Sequence, residues 1–250
     1  MSSAAPQEQQ NEDKTRLRLV SDLHLFSRRS QADKHLSQIQ EAASDADLFV
    51  FAGDTFDYKW AHTPTEEAFA DHAEKWISEL AEKVPECSFH YLLGNHDHHP
   101  ALIDRLEILS ERYPNLAWDP YFLRRPSTIF LHGDVAMGLP TTEQLERFRK
   151  KWQKHKRKPG AIKNRIYDAI VAARLHSISA GIMFPPKVVA RRITKYLEHI
   201  GHGAETGLQD VYFGHTHRAL EGFEYGGLRF HNAGAPIKGH RFRILDAEID

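Results

Sequence analysis

Cysteine occurs once in the 250 residues, at Cys87, which excludes an intrachain disulfide framework and a thiolate metal cluster and fits a reducing compartment. Any metal held by this chain is therefore held through nitrogen and oxygen. Net charge is also missing: 33 Lys and Arg stand against 34 Asp and Glu, so the overall balance selects neither nucleic acid nor membrane as a partner. No run approaches the roughly 20 apolar residues of a membrane span, and the opening "MSSAAPQEQQNEDK" carries no apolar signal core. These absences predict a cytoplasmic protein with residues 1–15 as a disordered tail, and they leave open peripheral binding at a membrane surface. What is present in quantity is apolar side chains, 41 % of the chain, enough for one domain over 16–250.

The first half alternates strand and helix signals. "RLRLVSDLHL" (16–25) reads as a strand entering a polar loop, and "LFVFAGD" (48–54) is the short apolar run of a strand buried on both faces. Between them Leu36, Ile39 and Ala43 fall on helical spacing. Thr63, Pro64 and Glu66 supply cap signals for a helix that carries Phe69, Ala73, Trp76 and Leu80 on one face. "SFHYLLG" is a third strand and "ALIDRLEILSERY" a third helix, which predicts α/β layering with parallel strands. Strand signals return at "STIFLHGD" (127–134), "DVYFGHTH" (210–217), "LRFHNAG" (228–234) and "RFRILDAEI" (241–249). The intervening 140–207 read as a helical insertion, and its stretch from Arg147 to Arg165 has ten Lys or Arg and no acid.

Each predicted core strand ends in metal-ligating residue types: Asp22 and His24 after the first, Asp54 after the second, Asn95, His96 and Asp97 after the third, His132 after the next, and His215 and His217 after a late one. In open α/β sheets the carboxyl ends of the strands line one crevice, so side chains distant in sequence can meet there. Members of an i, i+2 pair point the same way in extended backbone. Carboxylate, carboxamide and imidazole without sulfur suit manganese, iron, zinc, cobalt or nickel. The count exceeds one ion, and Asp54 has oxygens for two, the arrangement of two-metal hydrolysis. Gly53, Gly94 and Gly214 precede the ligand groups and permit a tight exit from strand to loop.

"SDLHL", "GDTFD", "GNHD", "LHGD" and "GHTH", in this order, resemble the five signature blocks of the calcineurin-like metallophosphoesterase superfamily. The resemblance implies a layered α-β-β-α sandwich holding two divalent metal ions, of which manganese, iron and zinc are the candidates. One metal would be held by Asp22, His24, Asp54 and His217, the other by Asp54, Asn95, His132 and His215. It further implies hydrolysis of a phosphate ester through a metal-bridging hydroxide, with His96 protonating the leaving oxygen and Asp97 orienting His96. The helical insertion and "GDTFDYKW" are similar to UDP-2,3-diacylglucosamine pyrophosphohydrolases, which makes a lipid-linked diphosphate the alternative to a phosphorylated small molecule. A nuclease, suggested by the basic stretch, and a non-catalytic metal-binding scaffold are the other readings.

Several neighbouring residues have two readings each. Asp57 assists the site or caps a turn; Asp134 orients His132 or caps a turn. His98 and His99 read as solvated loop histidines, and Arg218 as a phosphate contact or surface charge. The basic run is a solvated helix face, an electrostatic guide for an anionic substrate, or a contact for anionic lipid or nucleic acid. Trp152, Ile166, Ile170 and "GIMF" (181–184) form a lid or pack the insertion onto the core.

Overall fold

The computed structural model describes residues 14–153 and 184–250. Two five-stranded sheets stack face to face. The first has the order β10-β1-β2-β3-β4 and comprises β1 (Thr15–Val20), β2 (Leu48–Ala52), β3 (Ser88–Leu92), β4 (Leu116–Asp119) and β10 (Leu245–Ile249). The second, ordered β5-β6-β7-β9-β8, comprises β5 (Phe122–Arg124), β6 (Thr128–Leu131), β7 (Asp210–Phe213), β8 (Leu220–Tyr225) and β9 (Leu228–Asn232). Strands β1 to β4 are parallel, as are β6, β7 and β9. The antiparallel members, β10, β5 and β8, all sit at sheet edges. Two of these, β5 and β8, are absent from the sequence reading, as is β4: β4 and β5 have too few residues to show a period, and in β8 a register shift between Leu220 and Phe223 breaks the alternation. The β8–β9 hairpin is closed by Gly226 and Gly227, with φ of 59° and 78°, the left-handed pair that a two-residue type I′ turn demands.

The period of two in each strand sorts side chains between layers. Leu17, Leu19, Leu48, Val50, Phe130 and Tyr212 fill the space between the sheets. Phe49, Phe51, Phe89 and Tyr91 point the other way, onto α1 (Leu36–Ser44), α2 (Glu66–Lys83) and α3 (Pro100–Arg112). On the far side Ile129, Leu131, Val211 and Phe213 are covered by Leu145 of α4 (Thr142–Gln153) and by Val189, Ile193 and Leu197 of α5 (Pro186–His199). The result is an α-β-β-α sandwich. The helices α4 and α5, which flank 154–183, are the outer layer of the second sheet, since without them its apolar face would meet water.

Three local expectations change. The cap of α2 is Thr65, whose hydroxyl accepts from Ala68 N at 3.0 Å, two residues later than the Thr63 cap read from sequence. His99 is buried and caps α3 through Nδ1, its ring stacked on Tyr58 at 3.8 Å, and His98 bonds Gln153, so neither is a solvated loop histidine. Thr15 already belongs to β1; the rest of the tail, 1–13, lies outside the described residues, as do Ile166, Ile170 and 181–183. No helix among the described residues is long and apolar enough to cross a membrane.

Candidate metal centre

The strand ends deliver their side chains through strained backbone. Six non-glycine residues have positive φ among the described residues, and five of them are Asp22 (53°), His24 (47°), Asp54 (52°), His215 (65°) and His217 (54°). The left-handed region is disfavoured for residues with a Cβ, by about 1–3 kcal/mol each where the surroundings enforce it. Such strain persists only when other contacts over-determine it, and here it turns each side chain out of its strand toward a common point. Backbone donors then fix the carboxylates: His215 N donates to both oxygens of Asp22 at 2.9 and 3.0 Å, and His96 N donates to Asp54 Oδ1 at 2.8 Å.

The glycines before the ligand groups serve chiefly by lacking a side chain. A Cβ on Gly94 would lie 2.1 Å from Asp54 Oδ1, one on Gly214 2.5 Å from Asp22 Oδ2, and one on Gly53 2.5 Å from His132 Nδ1. Only Gly53 of the three has a positive φ, at 80°. Freedom of the chain at the loop exit, expected from sequence, is thus a minor reason; room for the neighbouring ligand is the main one.

The predicted ligands gather in two groups. Asp22, His24 and His217 form one and Asp54, His132 and His215 the other, each with its ligand atoms within 4.8 Å of one another; His24, Asp57 and His96 make a third set within the same distance. His24 Nε2 faces His217 Nε2 at 3.0 Å, and His132 Nε2 faces His215 Nδ1 at 3.3 Å. Asp54 Oδ2 stands between the groups, 3.4 Å from His132 Nε2 and 4.0 Å from His24 Nε2, and Asn95 Oδ1 reaches His132 Nε2 at 3.3 Å. Asp22, His24, Asp54, Asn95 and His132 are buried. His132 donates from Nδ1 to Ala52 O at 3.1 Å, which presents Nε2 to the cluster, the usual way a ligating imidazole is oriented.

The charge pattern fits divalent cations. Burial alone would lower His132, but Asp54, by charge and hydrogen bond, raises it to about 10. Burial likewise opposes the charges of Asp57 and Asp54 on His96 and is outweighed, taking that imidazole up to about 9. Asp54 is held well below the carboxylate range, since the charges of His132 and His96 outweigh its burial. Burial and the His132 charge together push His215 down to about 4. Imidazole nitrogens at contact distance beside buried carboxylates form a cluster whose negative charge a divalent cation would balance, and nitrogen and oxygen donors without sulfur suit borderline metals.

Two residues are placed differently from the sequence expectation. His96 Nδ1 bonds Asp57 Oδ1 at 3.0 Å, so its orienting carboxylate is Asp57. Asp97 is fully buried and accepts from Thr55 N at 2.9 Å, Gly94 N at 2.6 Å and Tyr91 Oη at 2.6 Å, which ties the loop after β3 to that after β2. Burial and the nearby Asp54 charge raise it to about 6. Asp57 also lies 3.5 Å from His24 Nδ1, an ion contact too long for a good hydrogen bond. The signal available in the sequence was its position three residues past Asp54, which suits a turn equally well. Asp134 neither orients His132 nor caps a turn with its side chain: its carboxylate pairs with Arg149 of the basic run, which is fully buried. Trp152, one turn further along α4, lies against His96 with ring centroids 4.6 Å apart, while Phe184 approaches His215 at 6.1 Å. His240, missed in the sequence, donates from Nδ1 to His217 O at 3.0 Å.

A family model described as calcineurin-like phosphoesterase matches residues 15–219. Comparison with curated proteins returns no match. Among solved structures the chain is similar to a dimetal phosphatase from Danio rerio, at 12 % identity and a TM-score of 0.48, over 94 % of this chain and 92 % of that one. The matched span of the family model takes in every side chain of the cluster from Asp22 to His217, and the chain belongs to the calcineurin-like phosphoesterase family, as a metal-dependent phosphoester hydrolase.

Proposed function

We propose that this chain hydrolyses a phosphate ester at the cluster, with Asp22, His24, Asp54 and His217 holding one divalent cation and Asp54, Asn95, His132 and His215 a second. The observation that supports it most is the set of five left-handed ligand positions, a strain that packing alone does not call for. When bound, two such cations neutralise phosphoryl oxygens and acidify a water into a nucleophile at neutral pH. The residues of the chain supply the rest. Asp57 holds the Nδ1 proton of His96 and so leaves Nε2 to carry a second proton to the departing ester oxygen. Backbone N–H groups of His96 and His215 keep Asp54 and Asp22 in place before the substrate arrives. The buried Asp97 locks the His96 loop to the Asp54 loop, which fixes the acid relative to the cations.

Manganese, iron and zinc all suit the donor set, and the ester remains to be named. The test is a panel of phosphate monoesters, diesters, lipid-linked diphosphates and nucleic acid, with each metal in turn. Turnover of an aryl phosphate that falls on the order of 100 to 10,000 fold in His96→Ala, with metal content retained, supports the reading; absence of turnover with every metal, by folded protein, refutes it.

A further inference from the structure

Beside the cation cluster, Lys59, Trp60 and Trp152 gather around His96. Lys59 and Trp60 lie two and three residues past Asp57, whose Oδ1 accepts from Trp60 N at 3.1 Å as well as from His96, so this short loop is pinned to the proposed acid. The Lys59 ammonium lies 4.5 Å from the centre of the Trp152 ring and 5.5 Å from that of Trp60, and Trp152 in turn abuts His96. Lys59, His96 and Trp152 line one cleft, together with Tyr58, Asn95 and His98. Its volume, about 10 Å³, holds no more than a water, so a ligand meets its rim. Arg29 stacks on the outer indole, 3.6 Å from the Trp60 ring centre.

Burial lowers the pKa of Lys59, with the pull of Asp57 and the push of Arg29 opposing each other. Among the described residues no carboxylate lies within ion-pairing distance of its ammonium; Asp57 attracts it from further off, with Oδ1 taken by His96 and Trp60. A partly buried cation ordinarily has an anionic partner. Aromatic faces stabilise the ammonium only in part, and they leave its N–H donors available.

We infer that Lys59 and Trp152 form a leaving-group subsite, which selects phosphoesters whose leaving group bears a negative charge of its own on a planar or apolar body. The inference rests on the phosphoester hydrolysis proposed above. In that step the water oxygen bonds to phosphorus, the ester P–O bond breaks, and its electron pair departs on the ester oxygen. His96 Nε2–H protonates that oxygen; the anion elsewhere on the leaving group meets Lys59, and its flat body meets the indole.

The test compares phenyl phosphate with 4-carboxyphenyl phosphate, which differ by one carboxylate, on the metal-loaded enzyme. The wild type has the higher kcat/KM on the carboxylated ester, and this preference shrinks as salt rises. Lys59→Glu lowers the ratio of the two kcat/KM values at least about tenfold, the usual yield of one charge-assisted contact. Lys59→Arg keeps the preference, and Lys59→Gln, which introduces no new charge, lowers it by a smaller factor. Binding of 4-hydroxybenzoate, followed by NMR, weakens in parallel. Turnover of both esters with a ratio indifferent to Lys59→Glu and Lys59→Gln overturns the subsite and leaves the hydrolysis standing; no turnover of either ester by folded wild type overturns both.

Discussion

The ion pair between Asp134 and Arg149 joins the loop that carries His132 to the helix that carries Trp152, and its removal is a sharp test of how the two sides of the site are held together. Arg149 Nε donates to Asp134 Oδ2 at 2.7 Å and Nη2 to Oδ1 at 3.1 Å, a two-pronged contact, while Nη1 donates to Pro120 O. Arg149 is 0 % and Asp134 1 % exposed. Asp134→Asn leaves a guanidinium in the interior without its counter-charge, and breaking such a buried pair from one side destabilises by about 3–5 kcal/mol. Arg149→Met leaves a carboxylate in the same position with a comparable loss. The double variant Asp134→Asn/Arg149→Met removes both charges, and it loses distinctly less than the two singles together because neither side then strands an ion. Urea denaturation of the four proteins closes the cycle. Because Arg149 also seats α4, the single variants loosen Trp152 against His96, and turnover falls in folded protein as well. Losses below about 1 kcal/mol in both single variants, the value of an exposed ion pair, would refute the reasoning.

Gly94→Ala places a methyl group 2.1 Å from Asp54 Oδ1 at a position with no positive φ, so its effect is steric: the metal content of purified protein drops and turnover falls at least about tenfold, measured by elemental analysis and aryl phosphate assay. Full metal content in Gly94→Ala would mean that the two loops do not approach as described. Asp57→Asn and Asp97→Asn part company: the first slows turnover on the order of tenfold or more with little change in stability, and the second mainly destabilises, by about 1–3 kcal/mol, because its amide NH2 takes the place of one acceptor oxygen and faces either Gly94 N or Thr55 N, each a donor. The reverse outcome would restore Asp97 as the partner of His96.

That these side chains meet was legible in the sequence because each sits at the end of an apolar strand, and strand ends in an α/β sheet share one edge. Asp22 and His217 are distant in the chain, yet β1 and β7 carry them to within 3.4 Å. Less legible was anything decided by packing between layers. Arg149 stands in a run of cations that reads as a solvated face, and nothing in its neighbours tells that this one guanidinium faces inward to Asp134. Asp57 and Asp97 are both aspartates in turns next to a ligand, and which of them meets His96 depends on how two loops cross. The glycines were found for a lesser reason, since the clash a Cβ would make involves atoms on other strands. Edge strand β5 escaped because three residues cannot display a period, and β8 because an irregularity between Leu220 and Phe223 breaks its alternation.

The central claim is that one carboxylate, Asp54, stands between two cations. Elemental analysis of wild type and Asp54→Ala, dialysed together against trace manganese, iron or zinc, tests it directly. The account predicts about two ions per chain in the wild type and loss of both in the variant, with circular dichroism unchanged. Two ions retained by Asp54→Ala, or none bound by the wild type, would contradict it.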